Sequence, residues 1–217
     1  MEPHSSDRPE LLYIFDPLCG WCYGMSPVLQ RIQQEFAGQV DVSVLCGGML
    51  TGEQVAPISE AWSYISGSLQ QVEKVTGVVF GEAFRALGEE GAYVQDSEPP
   101  SRAIHVFRQL NQNQTPNFAH DVQRAHFQDG ADLNQLRTYV PLAAAYGIDE
   151  VEFMRRLALP ETVAATRQEF AAVAKIGVQG FPMVLLRVGS QGYVLTRGYQ
   201  PYDAFADILR QALEQAA

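Results

Sequence analysis

Apolar and polar positions change their period several times along this chain. Leu11 to Asp16, LLYIFD, is a short apolar and aromatic run of the kind that forms a buried strand, and Pro17 ends it because proline cannot donate to a central ladder. From Cys19 to Phe36 the residues Cys22, Met25, Val28, Leu29, Ile32 and Phe36 recur at helical spacing, with Gln30, Arg31, Gln33, Gln34 and Glu35 between them. Val40 to Cys46 then alternates with period two, which predicts a second strand. Strand, helix, strand is the opening of a βαβ unit.

From about Glu53 to Leu159 helical signals dominate and strand signals almost vanish. Ser97 and Pro99-Pro100 predict a helix running through Leu110, and Thr115-Pro116 opens another that stops near Gly130. Asp132 introduces a helix bent at Pro141 and ended by Gly147, and Asp149 starts a further short one. Only Thr76 to Gly81, TGVVFG, is compatible with extended chain, and it stays unassigned. A helix from Glu161 to Ile176 leads to Pro182, which opens a β-rich run. The hairpin expected there comprises Met183 to Val188, the turn residues 189–192, and Tyr193 to Thr196. Tyr202 to Glu214 is a final amphipathic helix. The pattern predicts an α/β protein in which a discontinuous sheet domain, residues 11–50 and 160–217, is interrupted by an all-helical insertion, residues 51–159.

Composition narrows the functions open to such a fold. With 217 residues, 47% of them hydrophobic, the chain can bury a full core. Fifteen Lys and Arg against 25 Asp and Glu give a net charge of -10, with no basic run, so a nucleic-acid backbone is a poor partner. No apolar stretch reaches the roughly 18 residues of a membrane span. The first ten residues, MEPHSSDRPE, are too polar for a secretory leader, which makes a cytoplasmic location the expectation.

The chemistry lies in LLYIFDPLCGWCYGMSP, where Cys19 and Cys22 flank Gly20 and Trp21 at the start of the predicted helix. Residues three apart on a helix lie about 5 to 6 Å apart, within the usual Cα separation of a disulfide. A zinc site needs about four ligands, and only Cys46, His105, His120 and His126 remain, without a second CxxC or a matching histidine spacing. A structural disulfide across one turn would close too small a loop to constrain the unfolded chain. Redox use is the reading the spacing favours. The helix N-terminus would stabilise a Cys19 thiolate, making Cys19 the nucleophile and Cys22 the resolving thiol.

The order strand, CxxC at a helix start, strand, helical insertion, then Gly-x-x-Gly-Phe-Pro before a hairpin resembles the DsbA family of thioredoxin-fold thiol-disulfide oxidoreductases. DPLCGWCYG, RAHFQDGADLN and GVQGFPMVLL resemble most its cytoplasmic subgroup of FrnE-like protein disulfide isomerases. The resemblance implies a thioredoxin-like fold with a large helical insertion and redox cysteines at Cys19 and Cys22. It also implies a cis-proline at Pro182, with Phe181 offering its backbone to an extended substrate. No cofactor is implied beyond glutathione as a redox co-substrate, and the partners would be thiol- or disulfide-containing proteins or small molecules. Trp21, Phe181 and Pro182 are the expected substrate contacts, with Asp16, Gly20 and Tyr23 in support. Thioredoxins carry a buried carboxylate on the first strand, but this strand has none before Asp16, which is expected to cap the turn into the helix.

Two other function classes fit parts of the pattern. Glutathione-dependent isomerases and transferases of the kappa and hydroxychromene-carboxylate type share the fold but usually place serine where Cys19 stands. A non-catalytic, chaperone-like module would use the surface around Phe181 and Pro182 without turnover. Cys46 reads as a buried free thiol. His105, His120 and His126 read as structural or surface residues.

Overall fold

The computed structural model describes residues 8–216. Strand β1 (Glu10–Phe15) runs into helix α1 (Gly20–Glu35), which returns the chain to β2 (Asp41–Cys46), parallel to β1. Much later β5 (Met183–Val188) pairs antiparallel with the other edge of β1, and β6 (Gln191–Arg197) pairs with β5. The strand order is therefore β2-β1-β5-β6, with β1 inside the sheet. That position explains its near-continuous apolar sequence, because a central strand covered on both faces has little polar surface to offer. Leu11, Tyr13 and Phe15 enter the main core beneath α1, whereas Ile14 packs with Val173, Met183 and Leu185 on the opposite face.

The chain between β2 and α8 (Pro160–Lys175) contains α2 (Trp62–Thr76), α3 (Glu82–Glu90), α4 (Glu98–Leu110), α5 (Thr115–Phe127), α6 (Tyr139–Ala144) and α7 (Glu150–Leu157). Ile104, Phe107, Phe118 and Val122 from α4 and α5 share one buried cluster with β1, β2 and α1. Phe107 and Phe118 stack with their rings 4.1 Å apart. A second cluster joins Tyr23 of α1 to Phe80, Phe84 and Phe127. Helix α9 (Tyr202–Ala216) adds Phe205 and Leu209 to the main core.

Several local expectations change. The block expected to be helical also holds a two-stranded antiparallel pair, β3 (Ala56–Pro57) and β4 (Val94–Gln95). Asp132 starts a turn rather than a helix: its carboxylate accepts from Asn134 N at 2.8 Å, and the α-helix begins only at Tyr139. Such local side-chain bonding competes with helix capping. Thr76 ends α2, left-handed Gly77 caps it, and the chain stays non-helical until Gly81 precedes α3. The hairpin turn contracts to Gly189 and Ser190, because Gln191 and Gly192 already pair with β5.

Helix α1 contains Pro27, which has no N–H for the carbonyl of Tyr23. Ser26 Oγ donates to that carbonyl at 2.8 Å instead, so the helix continues with its acceptor satisfied. His120 Nδ1 lies 2.7 Å from the same hydroxyl.

Candidate active site

The site begins at the end of β1. Asp16 is fully buried, and its carboxylate accepts from Leu18 N (2.9 Å) and Ser97 Oγ (2.9 Å) at one oxygen and from Met49 N (2.7 Å) at the other. Its carbonyl accepts from Cys19 N at 3.1 Å. Asp16 thus caps the turn and ties it to the segment after β2 and to Ser97. Ser97 does not cap α4 with its side chain; its hydroxyl bonds Asp16 and accepts from Leu50 N. Burial raises the Asp16 carboxyl above its ordinary range, against the lowering effect of its three donors.

Cys19 is the N-cap of α1, with extended backbone, and its Sγ accepts from Cys22 N at 3.3 Å. The sulfur therefore takes the place of the serine or aspartate oxygen that usually satisfies a free N–H at a helix start. Cys19 is 7% exposed and Cys22 is fully buried one turn further on. Burial pushes the Cys22 thiol well above its ordinary range, and hydrogen bonding with Cys19 pushes it further. Tyr13, buried below, donates its hydroxyl to Cys22 O at 3.0 Å and anchors the first helical turn to the sheet.

The opposing wall comes from the other end of the chain. The Phe181–Pro182 peptide bond is cis, and Phe181 O lies 3.8 Å from Cys19 Sγ. Pro182 O accepts from Gly198 N at 2.7 Å, which fastens this wall to the end of β6. Trp21 is partly buried and faces Tyr199 with ring centroids 6.3 Å apart. Gly20 keeps room for the Phe80 ring, which would lie 3.3 Å from an added β-carbon. Tyr23, expected in support of the site, is buried, and its ring packs against Phe80 and Phe127 in the second aromatic core.

The remaining candidates sit elsewhere. Cys46 is buried at the end of β2, and burial pushes its thiol well up. Glu169 accepts from Cys46 N at 2.8 Å and pairs with Arg108, whose guanidinium lies 2.9 Å from His105 Nδ1. His126 is fully buried and lowered to about 4 by desolvation, with Nδ1 3.2 Å from Ala131 O. Among the described residues no group of three or more His, Cys, Asp or Glu is placed to hold a metal ion, and no helix is long and apolar enough to cross a membrane. Tyr13 and Tyr199 were missed by sequence reasoning. The period of β1 puts Tyr13 on the same face as Leu11 and Phe15, but no local pattern shows which helix covers that face.

Residues 11–210 match the family model described as DSBA-like thioredoxin domain. Similar solved structures include a candidate protein disulfide isomerase from Nitrosomonas europaea, 29% identical, with 97% of this chain and 100% of that one covered and a TM-score of 0.85. The cytosolic disulfide reductase DsbM from Pseudomonas aeruginosa is 28% identical over 95% of this chain and 100% of that one, with a TM-score of 0.79. Its structure with GSH is 27% identical over 94% and 98%, with a TM-score of 0.75. Among curated proteins, the ClpXP adapter protein SpxH of Halalkalibacterium halodurans is 22% identical over 95% of this chain and 68% of its own length.

Proposed function

Because the chain belongs to the DSBA-like thioredoxin domain family, we propose that it is a cytoplasmic thiol-disulfide oxidoreductase that reduces or isomerises disulfides through Cys19 and Cys22, with glutathione as its redox co-substrate. The observation that carries this reading is the unequal placement of the two thiols. Cys19 caps a helix N-terminus at the rim, its sulfur accepting the Cys22 N–H, while Cys22 is buried with its proton strongly held. Only a thiolate attacks a disulfide, so the pair acts in order. Cys19 sulfur attacks one sulfur of the substrate disulfide and expels the other as a thiolate, which takes up a proton. Cys22, brought against the new mixed disulfide, loses its proton, attacks Cys19 sulfur and releases the second substrate thiol. Two glutathione molecules then return two electrons to the Cys19–Cys22 disulfide and leave as glutathione disulfide.

Phe181 and cis-Pro182 form the surface against which an extended substrate is aligned, and Trp21 covers the groove beside them. Asp16 and Gly20 hold the cysteine turn in place. DsbM, described as cytosolic and captured with GSH, supports both the compartment and the co-substrate. The test is exchange with glutathione disulfide followed by Trp fluorescence and by mass. The native protein should cycle between dithiol and disulfide, Cys19→Ser should lose exchange to the uncatalysed background, and Cys22→Ala should accumulate a mixed disulfide on Cys19. Undiminished exchange by Cys19→Ser would remove the mechanism.

A further inference from the structure

Gly47, the first residue after β2, is linked to the reacting sulfur through one residue, Phe181, whose ring faces Gly47 and whose carbonyl lies by Cys19 Sγ. A β-carbon built on it would lie 2.0 and 2.1 Å from Phe181 Cζ and Cε1 and 3.1 Å from Cε2, and those are its three nearest atoms. Heavy atoms in van der Waals contact are nearly twice as far apart, at about 3.5 to 4.0 Å. The backbone itself sets no such restriction, since Gly47 is absent from the glycines with positive φ. The ring, not the chain conformation, is what demands glycine here.

This seat is also referenced to the cysteine turn. Gly47 N donates to Phe15 O at 2.8 Å, at the end of β1. Two residues later Met49 N donates to Asp16 Oδ2 at 2.7 Å, while Asp16 Oδ1 accepts from Leu18 N beside Cys19. The segment that receives the Phe181 ring is therefore fastened at two points to the turn that presents Cys19. The residue whose ring is seated there is the residue whose carbonyl lies 3.8 Å from Cys19 Sγ.

We propose that Gly47 is a positioning residue for thiol-disulfide exchange: by admitting the Phe181 ring it places the Phe181 carbonyl at Cys19 and thereby sets the balance between dithiol and disulfide. The inference rests on the dithiol reading above. The reaction it concerns is Cys19–SH plus Cys22–SH plus glutathione disulfide giving the Cys19–Cys22 disulfide plus two glutathione thiols. On the left Cys19 has an S–H to donate to Phe181 O; on the right it has none. A side chain at 47 expels the ring, draws the carbonyl away and removes a contact available only to the dithiol, so the equilibrium moves toward the disulfide.

The test is a redox titration against glutathione of the native protein, Gly47→Ala, Phe181→Ala and the double variant, read by Trp fluorescence and by mass. Loss of one weak hydrogen bond predicts an equilibrium constant for Gly47→Ala moved about threefold toward the disulfide. In the Phe181→Ala background the ring is gone, so adding Gly47→Ala should change the constant by less than about half that factor, the non-additivity expected of residues acting through one contact. If Gly47→Ala fails to fold, the double variant, which has no ring to clash, should fold and titrate like Phe181→Ala. A folded Gly47→Ala with the native constant, an equal Gly47→Ala effect in both backgrounds, or a double variant that also fails to fold would each overturn the proposal. A native protein that does not equilibrate with glutathione at all would instead remove the dithiol reading beneath it.

Discussion

Replacing Glu169 by Gln isolates the ion pair that fastens α8 to the sheet. Glu169 and Arg108 are 11% and 21% exposed at their side chains, and Arg108 also donates to Val44 O at 2.8 Å, so the pair links α8, α4 and β2. Burial alone would raise the Glu169 carboxyl; hydrogen bonding with His105, the Arg108 charge and the Cys46 N–H outweigh it and hold the group below its ordinary range. Gln retains an oxygen for Cys46 N but removes the charge, leaving a largely buried guanidinium without its counter-ion. Breaking a buried pair from one side costs about 3 to 5 kcal/mol, and the residual exposure of Arg108 puts the expectation at the lower end, about 3 kcal/mol. For a chain of this size that corresponds to a fall in Tm of about 6 to 12 °C. Replacing both partners removes the stranded charge, so Arg108→Met with Glu169→Gln should recover much of the loss. Urea unfolding followed by circular dichroism measures the native protein and both variants under one condition. A loss below about 1 kcal/mol for Glu169→Gln, or a double variant no more stable than the single one, would refute the claim that an unpaired buried charge is the cost.

Protonation of His126 supplies a pH test. Its folded value is about 4, against about 6.5 for an ordinary imidazole, so the unfolded chain binds the proton more readily. Its contribution is therefore present above pH ~6.5 and lost as pH falls toward 4, amounting to roughly 3 kcal/mol once both states are charged. His126→Gln should flatten the stability profile across that window, and an unchanged slope would show that His126 is not the titrating group. Cys46 offers a different check: buried and with its thiol pushed up, it should react with iodoacetamide at least tenfold more slowly than Cys19 in the folded dithiol protein, by mass mapping. Cys46→Ala should still cycle with glutathione, and loss of cycling in a folded variant would give this thiol a part in the chemistry.

Residue order alone carries the four strands of the main sheet, the helices with strong apolar period and the redox pair, because these depend on neighbours within one or two turns; the short β3–β4 pair is not among them. The spacing of Cys19 and Cys22 at a helix start is local geometry, and so is the apolar run that makes β1 a buried strand. The departures occur where a local signal is ambiguous: Asp132 and Ser97 each have the side chain of a helix cap, yet one closes its own turn and the other spends its hydroxyl on Asp16 and Leu50. Tyr23 lies beside the CxxC in sequence but packs against Phe80 and Phe127, from two segments each more than fifty positions away.

What the tertiary structure alone decides is how the groups around the cysteines meet them. Phe181 O meets Cys19 Sγ across 162 positions, and Asp16 reaches Ser97 across 81. Sequence period says which face of an element is apolar, but it cannot say which distant element covers that face. Only sheet pairing of β1 with β5, which brings Pro182 beside the start of α1, does that. The chain therefore spells out its two thiols directly, while the wall they work against, and the glycine that seats its ring, exist only once the strands have paired.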